Sequence, residues 1–336
     1  MLTFKIMLRN ALPEHQLSVA ALMPVCDDWT SAAELIRLLD ETLSSHPYVL
    51  EVLLVDDGSI QDWRSTTFPS RLTAIRTIRT LRLRRNLGHQ RAISIGLAYI
   101  AENVSCDAVL IMDADGEDTP DGALRLLQVF SDDGGSRAVF AARSRRSESL
   151  TFRCSYTVYK ALHWILTGLS VKVGNFSIIP SGYLKTLATI SDLWNHYAAA
   201  VFRSRLPFTT TPIPRGRRIA GSSRMNFVAL VVHGLSAISV FGDIVGVRLL
   251  IASIAGSCLT ILGLLIVVSL RLFTDRAIPG WATYASGTLA VIAIQFITMA
   301  TSFTFFVLTN RATLGYVPVR DHAMFIADCV DIYRHV

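Results

Sequence analysis

An α/β domain with a mostly parallel sheet, continued into a pair of membrane-crossing helices, is the architecture this sequence predicts. Three observations carry it. Strand-like apolar runs alternate with helix-periodic stretches from Leu17 to Ala142. Three of those runs end in carboxylates: Asp27 and Asp28, Asp56 and Asp57, then Asp113 and Asp115. Late in the chain, Val247–Leu270 carries only Arg248 and Ala282–Leu308 carries no charge, and a helix needs about 20 such residues to cross a hydrocarbon core.

The elements follow in order. Residues 17–25 (LSVAALMPV) read as a buried strand, and Ser31–Leu43 has its apolar residues at helical spacing. Val49–Val55 is a second strand, residues 78–83 a third, and Asn86–Ala101 a helix opened by a glycine turn. Ala108–Met112 is a fourth strand, Leu124–Phe130 a helix, and Ala138–Ala142 a fifth strand after the Asp132-Asp133-Gly134-Gly135 turn. A parallel sheet of such strands must be covered on both faces. Beyond residue 150 the pattern changes. Tyr156–Leu169 and Met225–Val240 are apolar helix candidates suited to the bilayer interface, with Trp164, Phe227 and His233 among them. The expected organisation is an extension over 1–16, a catalytic domain over 17–224, an interfacial helix over 225–245, a membrane hairpin over 246–309 and a cytoplasmic tail over 310–336.

Composition agrees. The chain is 51% hydrophobic with a formal net charge of +6, and the apolar excess lies in its second half. Arg215, Arg217, Arg218, Arg224, Arg248, Arg311 and Arg320 flank the hairpin, against Arg271 and Arg276 in its linker, so the positive-inside rule puts the first domain in the cytoplasm, on an inner or plasma membrane. The opening residues lack the apolar core of a signal peptide. Anionic headgroups or a lipid phosphate suit these arginines, and nucleic acid does not, because no aromatic residues are interleaved with them. Cys26, Cys106, Cys154, Cys258 and Cys329 are scattered without metal spacing and read as free thiols.

The chemistry is at the strand tips. Ends of parallel strands converge on one sheet edge, so three carboxylate-tipped strands build an acidic crevice that needs a cation or hydrogen-bond donors to offset it. VLIMDADGEDTPDG, residues 109–122, outlines a site for Mg²⁺ or Mn²⁺, which one or two carboxylates hold together with substrate phosphates. That points to a nucleotide-bound substrate. The same acids also suit a solvated turn before a helix start at Thr119-Pro120-Asp121. An EF-hand is excluded, since Asp118 and Leu124 stand where Gly and Glu are required. Dinucleotide, P-loop and GxSxG glycine patterns are absent.

VDDGS (55–59), NLGHQRAISIGL (86–97), MDADGEDTPDG (112–122), AAR (141–143), VGNFSIIP (173–180) and GSSRMNF (221–227) occur in an order that resembles family 2 glycosyltransferases. The resemblance is to the dolichyl-phosphate-mannose synthase and bacterial polyprenyl-phosphate sugar transferase branch, covers roughly residues 17–230, and extends to the paired C-terminal membrane helices of bacterial members. It implies a GT-A, Rossmann-like sheet and metal-dependent, inverting transfer of a hexosyl group from a nucleoside diphosphate sugar to polyprenyl phosphate. Homo-oligomers are common among its membrane-associated relatives.

Carried to matching positions, the resemblance puts Pro24, Asp28, Asp57 and Gly58 at the nucleotide, with His89 beside it as a helix-start residue. Asp115 becomes the metal ligand, Asp113 a sugar, ribose or metal contact, and Glu117 a further metal residue where relatives carry Gln. Arg143 and Arg153 match positions facing the acceptor phosphate, and Arg224 stands where a Lys is common. Two departures bear on specificity. Pro24-Val25-Cys26-Asp27-Asp28 lacks the aromatic of the usual first motif, and Val173-Gly174-Asn175-Phe176-Ser177 stands where relatives carry a GDF-type motif preceded by an acidic residue. Asp192 and His196 are general-base candidates if the acceptor is a hydroxyl, as on a glycolipid or protein. Both equally suit a helix N-terminus. A non-catalytic membrane adaptor would show an eroded DxD, which this chain does not.

Overall fold

The computed structural model describes residues 16–143, 164–168, 173–221, 227–274, 278, 280–312 and 315–335. The chain forms two compact units. The first holds an eight-stranded sheet in the order β7-β5-β6-β4-β1-β2-β3-β8. Its strands are β1 (Leu17–Val25), β2 (Tyr48–Asp56), β3 (Ile75–Leu83), β4 (Ala108–Ile111), β5 (Ala138–Arg143), β6 (Val173–Pro180), β7 (Phe208–Ile213) and β8 (Ile326–Arg334). The central four, β4-β1-β2-β3, are parallel, as expected.

Period-two alternation along β1 decides which helices cover which face. Val19, Ala21 and Met23 point to one side, where Leu35, Ile36 and Leu39 of α1 (Trp29–Leu43) and Leu126, Leu127 and Phe130 of α3 (Pro120–Asp132) bury them. Ala20 and Leu22 point to the other, against Ile93, Leu97 and Ile100 of α2 (His89–Asn103) and Ala198 and Val201 of α4 (Tyr197–Arg203). Three layers result, and the parallel strands read as continuous apolar runs because both faces are covered. Helix α3 starts as its sequence predicts: Thr119 Oγ1 accepts from Gly122 N at 3.1 Å, with Pro120 in the first turn.

Three strands extend what periodicity predicts. β6 runs antiparallel between β4 and β5. β7 pairs parallel with β5, and β8 antiparallel with β3. Residues 326–334, expected within a tail, thus complete the sheet. β8 fits there because β3 (IRTIRTLRL) offers arginines that need partners: Arg82 meets Asp328 at 3.1 Å, and Arg79 meets Glu51 of β2 at 2.9 Å and Asp331 at 3.6 Å. The stretch before β8 docks on the same unit. Tyr316 packs on Trp194 with ring centroids 3.9 Å apart and planes tilted by 36°, and Val319 N donates to Ala188 O at 2.8 Å.

Helix α5 (Phe227–Ser239) follows β7, close to the interfacial segment expected from the sequence. The second unit contains α6 (Gly242–Phe273) and α7 (Trp281–Ala312), both long and apolar enough to cross a membrane. Only 17% and 11% of their most apolar windows are buried, so their apolar surface faces outward as lipid-facing helices require. Along α6 the buried residues are small, Gly246, Ser253 and Ser257, which suits close packing between membrane helices. Each serine returns its hydroxyl to a backbone carbonyl of its own helix, Leu249 O at 2.8 Å and Ser253 O at 3.0 Å, leaving no hydroxyl donor to the lipid. Among the described residues Cys26, Cys106, Cys258 and Cys329 form no disulfide, and Cys154 lies outside those residues.

Candidate active site

Register brings the acidic tips together. β1 pairs with β2 so that Val25 stands beside Asp56, and with β4 so that Leu22 stands beside Ile111. The chain beyond each strand therefore emerges at one sheet edge, where ligands bind in open α/β folds. Pro24 is buried in β1 beside Val55.

Several of these carboxylates build the crevice wall. Asp27, in the left-handed region at φ +52°, accepts through Oδ1 from Ile60 N at 2.7 Å and Gln61 N at 2.8 Å, tying together the loops after β1 and β2. Asp57 is buried and accepts from Leu87 N at 2.6 Å and Gly88 N at 2.8 Å, which clamps the turn into α2. Burial raises its pKa more than those donors lower it. Gly58 makes the approach possible: at φ +68° it lies so near the turn that a Cβ would stand 2.4 Å from Asn86 N. This clamp also places the start of α2 at His89, three residues later than the sequence pattern predicts.

The DxD turn is braced from within. Buried Asp118 accepts from Asp113 N at 2.9 Å, and Asp115 Oδ1 accepts from Glu117 N at 2.9 Å. His89 Nε2 lies 3.1 Å from Asp113 Oδ1 and 3.1 Å from the Asn175 amide, while Gln90 Nε2 donates to Asn175 Oδ1 at 3.2 Å. Asn175, from the segment that departs from the family's GDF-type motif, is thus a neighbour of His89, the partner of the first DxD carboxylate. Desolvation by its neighbours works against charge on His89, whose side chain is 41% exposed, but the Asp113, Asp118 and Asp57 carboxylates outweigh it and raise its pKa. Stability from the His89–Asp113 pair is therefore full below the ordinary histidine value of 6.5 and is lost as pH rises through the raised one. The melting-temperature gap between wild type and His89→Gln should be widest below pH 6.5 and narrow as pH rises above it.

The counter-cations come from the loop after β7. Arg218 Nη2 lies 2.9 Å from Asp28 Oδ2 and 3.5 Å from Asp115 Oδ2, and Arg215 is ion-paired with Glu117. Backbone bonds fix the loop on the DxD turn, from Gly216 N to Glu117 O at 2.8 Å and from Ile219 N to Asp115 O at 2.9 Å. Arg218 Nε and Arg215 Nε and Nη1 are buried and make no hydrogen bond among the described residues. From sequence, these two arginines counted only as membrane-side charge. The acidic crevice's need for a cation was the available signal, since Glu117 and Asp115 stand about a hundred residues away in sequence and Asp28 stands 190 away.

Asp115 suits a hard cation: it presents carboxylate oxygens at the mouth of the crevice, with its side chain 16% exposed. Among the described residues no group of three or more His, Cys, Asp or Glu side chains forms a complete shell, so any cation here would draw ligands from substrate phosphate as well. Asp192 lies in a short turn (Ser191–Trp194) and pairs with Arg203 at 3.4 Å, and His196 caps α4, its Nδ1 accepting from Ala199 N at 3.3 Å. Arg143 ends β5 opposite Ile213, its side chain outside the described residues, as are Arg153 and Arg224 entirely.

Residues 21–187 match the family model of Glycosyl transferase family 2. The chain is 27% identical to an undecaprenyl-phosphate 4-deoxy-4-formamido-L-arabinose transferase of Klebsiella pneumoniae, over 85% of this chain and 84% of that one. It is 23% identical to the glycosyltransferase YkcC of Bacillus subtilis (strain 168), over 80% and 82%. Among solved structures, glucosyl-3-phosphoglycerate synthase from Mycobacterium tuberculosis in complex with Mn²⁺, UDP and phosphoglyceric acid superposes with a TM-score of 0.48 at 13% identity, over 68% of this chain and 79% of that one. Ordered motifs, sheet topology and the family match agree: the chain belongs to glycosyl transferase family 2.

Proposed function

We propose that the protein is a membrane-bound, inverting hexosyltransferase that moves a sugar from a nucleoside diphosphate sugar to polyprenyl phosphate, with its catalytic unit on the cytoplasmic side. The observation that carries the reading is the juxtaposition of DxD carboxylates with Arg215 and Arg218. Acids and guanidinium N–H groups at one sheet edge form a receptor for a diphosphate that brings a cation with it. The 27% identity to an undecaprenyl-phosphate sugar transferase, spread over most of both chains, supports the acceptor class.

In this reading Asp115, with Asp113 beside it, holds Mg²⁺ or Mn²⁺, and Glu117 is the third position to weigh. The cation, when bound, supplies Lewis-acid neutralisation of the leaving diphosphate. Pro24, Asp28, Asp57 and Gly58 shape the nucleotide side of the crevice. Arg218 and Arg215 donate to the diphosphate oxygens, and His89 with Asn175 orients Asp113 toward the sugar. Arg143, Arg153 and Arg224 hold the lipid phosphate in line behind the anomeric carbon. The bond from that carbon to the phosphate oxygen forms as its bond to the diphosphate breaks, and nucleoside diphosphate leaves. A phosphate anion is already a nucleophile, so positioning and electrostatics carry the catalysis and no base is required. The Asp192–Arg203 pair accordingly has a structural part, bracing the turn before α4.

Undecaprenyl phosphate compared with undecaprenol as acceptor tests the reading. Glycosylated product by mass spectrometry with the phosphate alone is expected; equal product with the alcohol would replace it with hydroxyl transfer.

A further inference from the structure

We propose that Glu117 and Arg215 form a latch that seats the 214–221 loop on the DxD turn and thereby sets Arg218 between Asp28 and Asp115. Glu117 is then a positioning residue, and its carboxylate serves Arg215 rather than the divalent cation. The proposal deepens the reading above, on which the significance of Arg218 rests.

Four observations converge on it. The Glu117 and Arg215 side chains are ion-paired with 22% and 21% of their surfaces exposed, so solvent screens the pair less than it screens a surface bridge. The backbone bond from Gly216 N to Glu117 O, at 2.8 Å, comes from the residue after Arg215 and reaches the same glutamate, so side chain and main chain pin one point of the loop. Gly216 permits that approach, since a Cβ there would lie 2.7 Å from Gly116 O and 2.5 Å from Thr119 Cγ2. Three residues beyond the latch, Arg218 reaches both Asp28 and Asp115, whereas Arg217 between them is exposed. A neutral Gln at position 117 would keep a hydrogen bond to the guanidinium and lose the charge pairing. Seating of the loop, and with it the offset of two facing carboxylates, therefore depends on the charge at 117.

The loop's own arginines make the test direct. Full-length protein in detergent, with metal and nucleotide removed by EDTA and dialysis, is digested with trypsin, and cleavage after Arg217 and Arg218 is followed by mass spectrometry. Glu117→Gln and Arg215→Gln should each accelerate those cuts about tenfold, which corresponds to about 1.4 kcal/mol of loop seating. The exchange Glu117→Arg with Arg215→Glu should bring the rate back within about threefold of wild type. Unchanged cleavage in both single variants, with unaltered melting temperatures, would overturn the latch, and the single variants suffice if the exchange fails to fold. Where the wild type turns over, Glu117→Gln should raise the donor KM without changing the Mn²⁺ concentration that gives half-maximal rate; a Glu117 that served the metal would raise that concentration instead. Because digestion needs neither donor nor acceptor, an inactive wild type would overturn the transferase reading and leave the latch result standing.

Discussion

Asp115→Asn protein should fold like the wild type and turn over about 10³-fold more slowly, the loss expected when an electrostatic anchor of the departing charge is removed. The folding half follows from local geometry. Asp115 Oδ1 accepts from Glu117 N at 2.9 Å, and an asparagine side-chain oxygen can take that bond over. The Asp115 backbone carbonyl, which receives Ile219 N at 2.9 Å, is untouched. What disappears is the negative charge facing the crevice, through which a divalent cation would be held and against which Arg218 is placed at 3.5 Å. Steady-state kinetics with a melting curve on the same preparation checks both halves. Wild-type turnover in folded Asp115→Asn would remove the metal assignment.

Arg218→Ala should lower kcat/KM for the donor by about 10²–10³-fold, with much of the loss in binding. Its side chain is 18% exposed, meets Asp28 at 2.9 Å and Asp115 at 3.5 Å, and carries a buried Nε without a partner among the described residues. Truncation leaves two carboxylates facing each other and deletes a donor to the diphosphate. Arg218→Lys keeps the charge but loses the remaining guanidinium N–H donors, the buried Nε among them, so it should recover only part of the loss. Arg217→Ala, at an exposed position on the same loop, is the matched control and should stay within about threefold of wild type. Equal effects at 217 and 218 would mean the loop acts through net charge alone.

What was legible in the sequence was whatever is encoded locally. β1 to β4 and their covering helices follow from apolar runs and helical spacing, because a parallel sheet buried on both faces leaves that mark. The Thr119-Pro120 helix start and the acid-tipped strands are equally local. β6, β7 and β8 are stabilised mainly by their partners. IADCVDIYR is half polar and becomes a strand because Asp328 and Asp331 meet the arginines of β3, about 250 residues earlier. The site divides in the same way. Its carboxylates were readable from one segment each, whereas the clamp from Asp57 to Leu87 and Gly88 and the pairs of Arg215 and Arg218 exist only once the chain has folded. Asp57 shows the consequence: at the nucleotide edge, as the family resemblance implies, it spends both carboxylate oxygens on the turn into α2.

The central claim is a sugar transfer that requires both a divalent cation and a lipid phosphate. Purified protein in detergent is incubated with UDP-, GDP- and dTDP-sugars, each with and without undecaprenyl phosphate and with Mn²⁺, Mg²⁺ or EDTA, and nucleoside diphosphate release is measured. Release from one donor class, dependent on both lipid phosphate and metal, is the predicted result. Release that persists in EDTA, or that proceeds equally without the lipid phosphate, would contradict it.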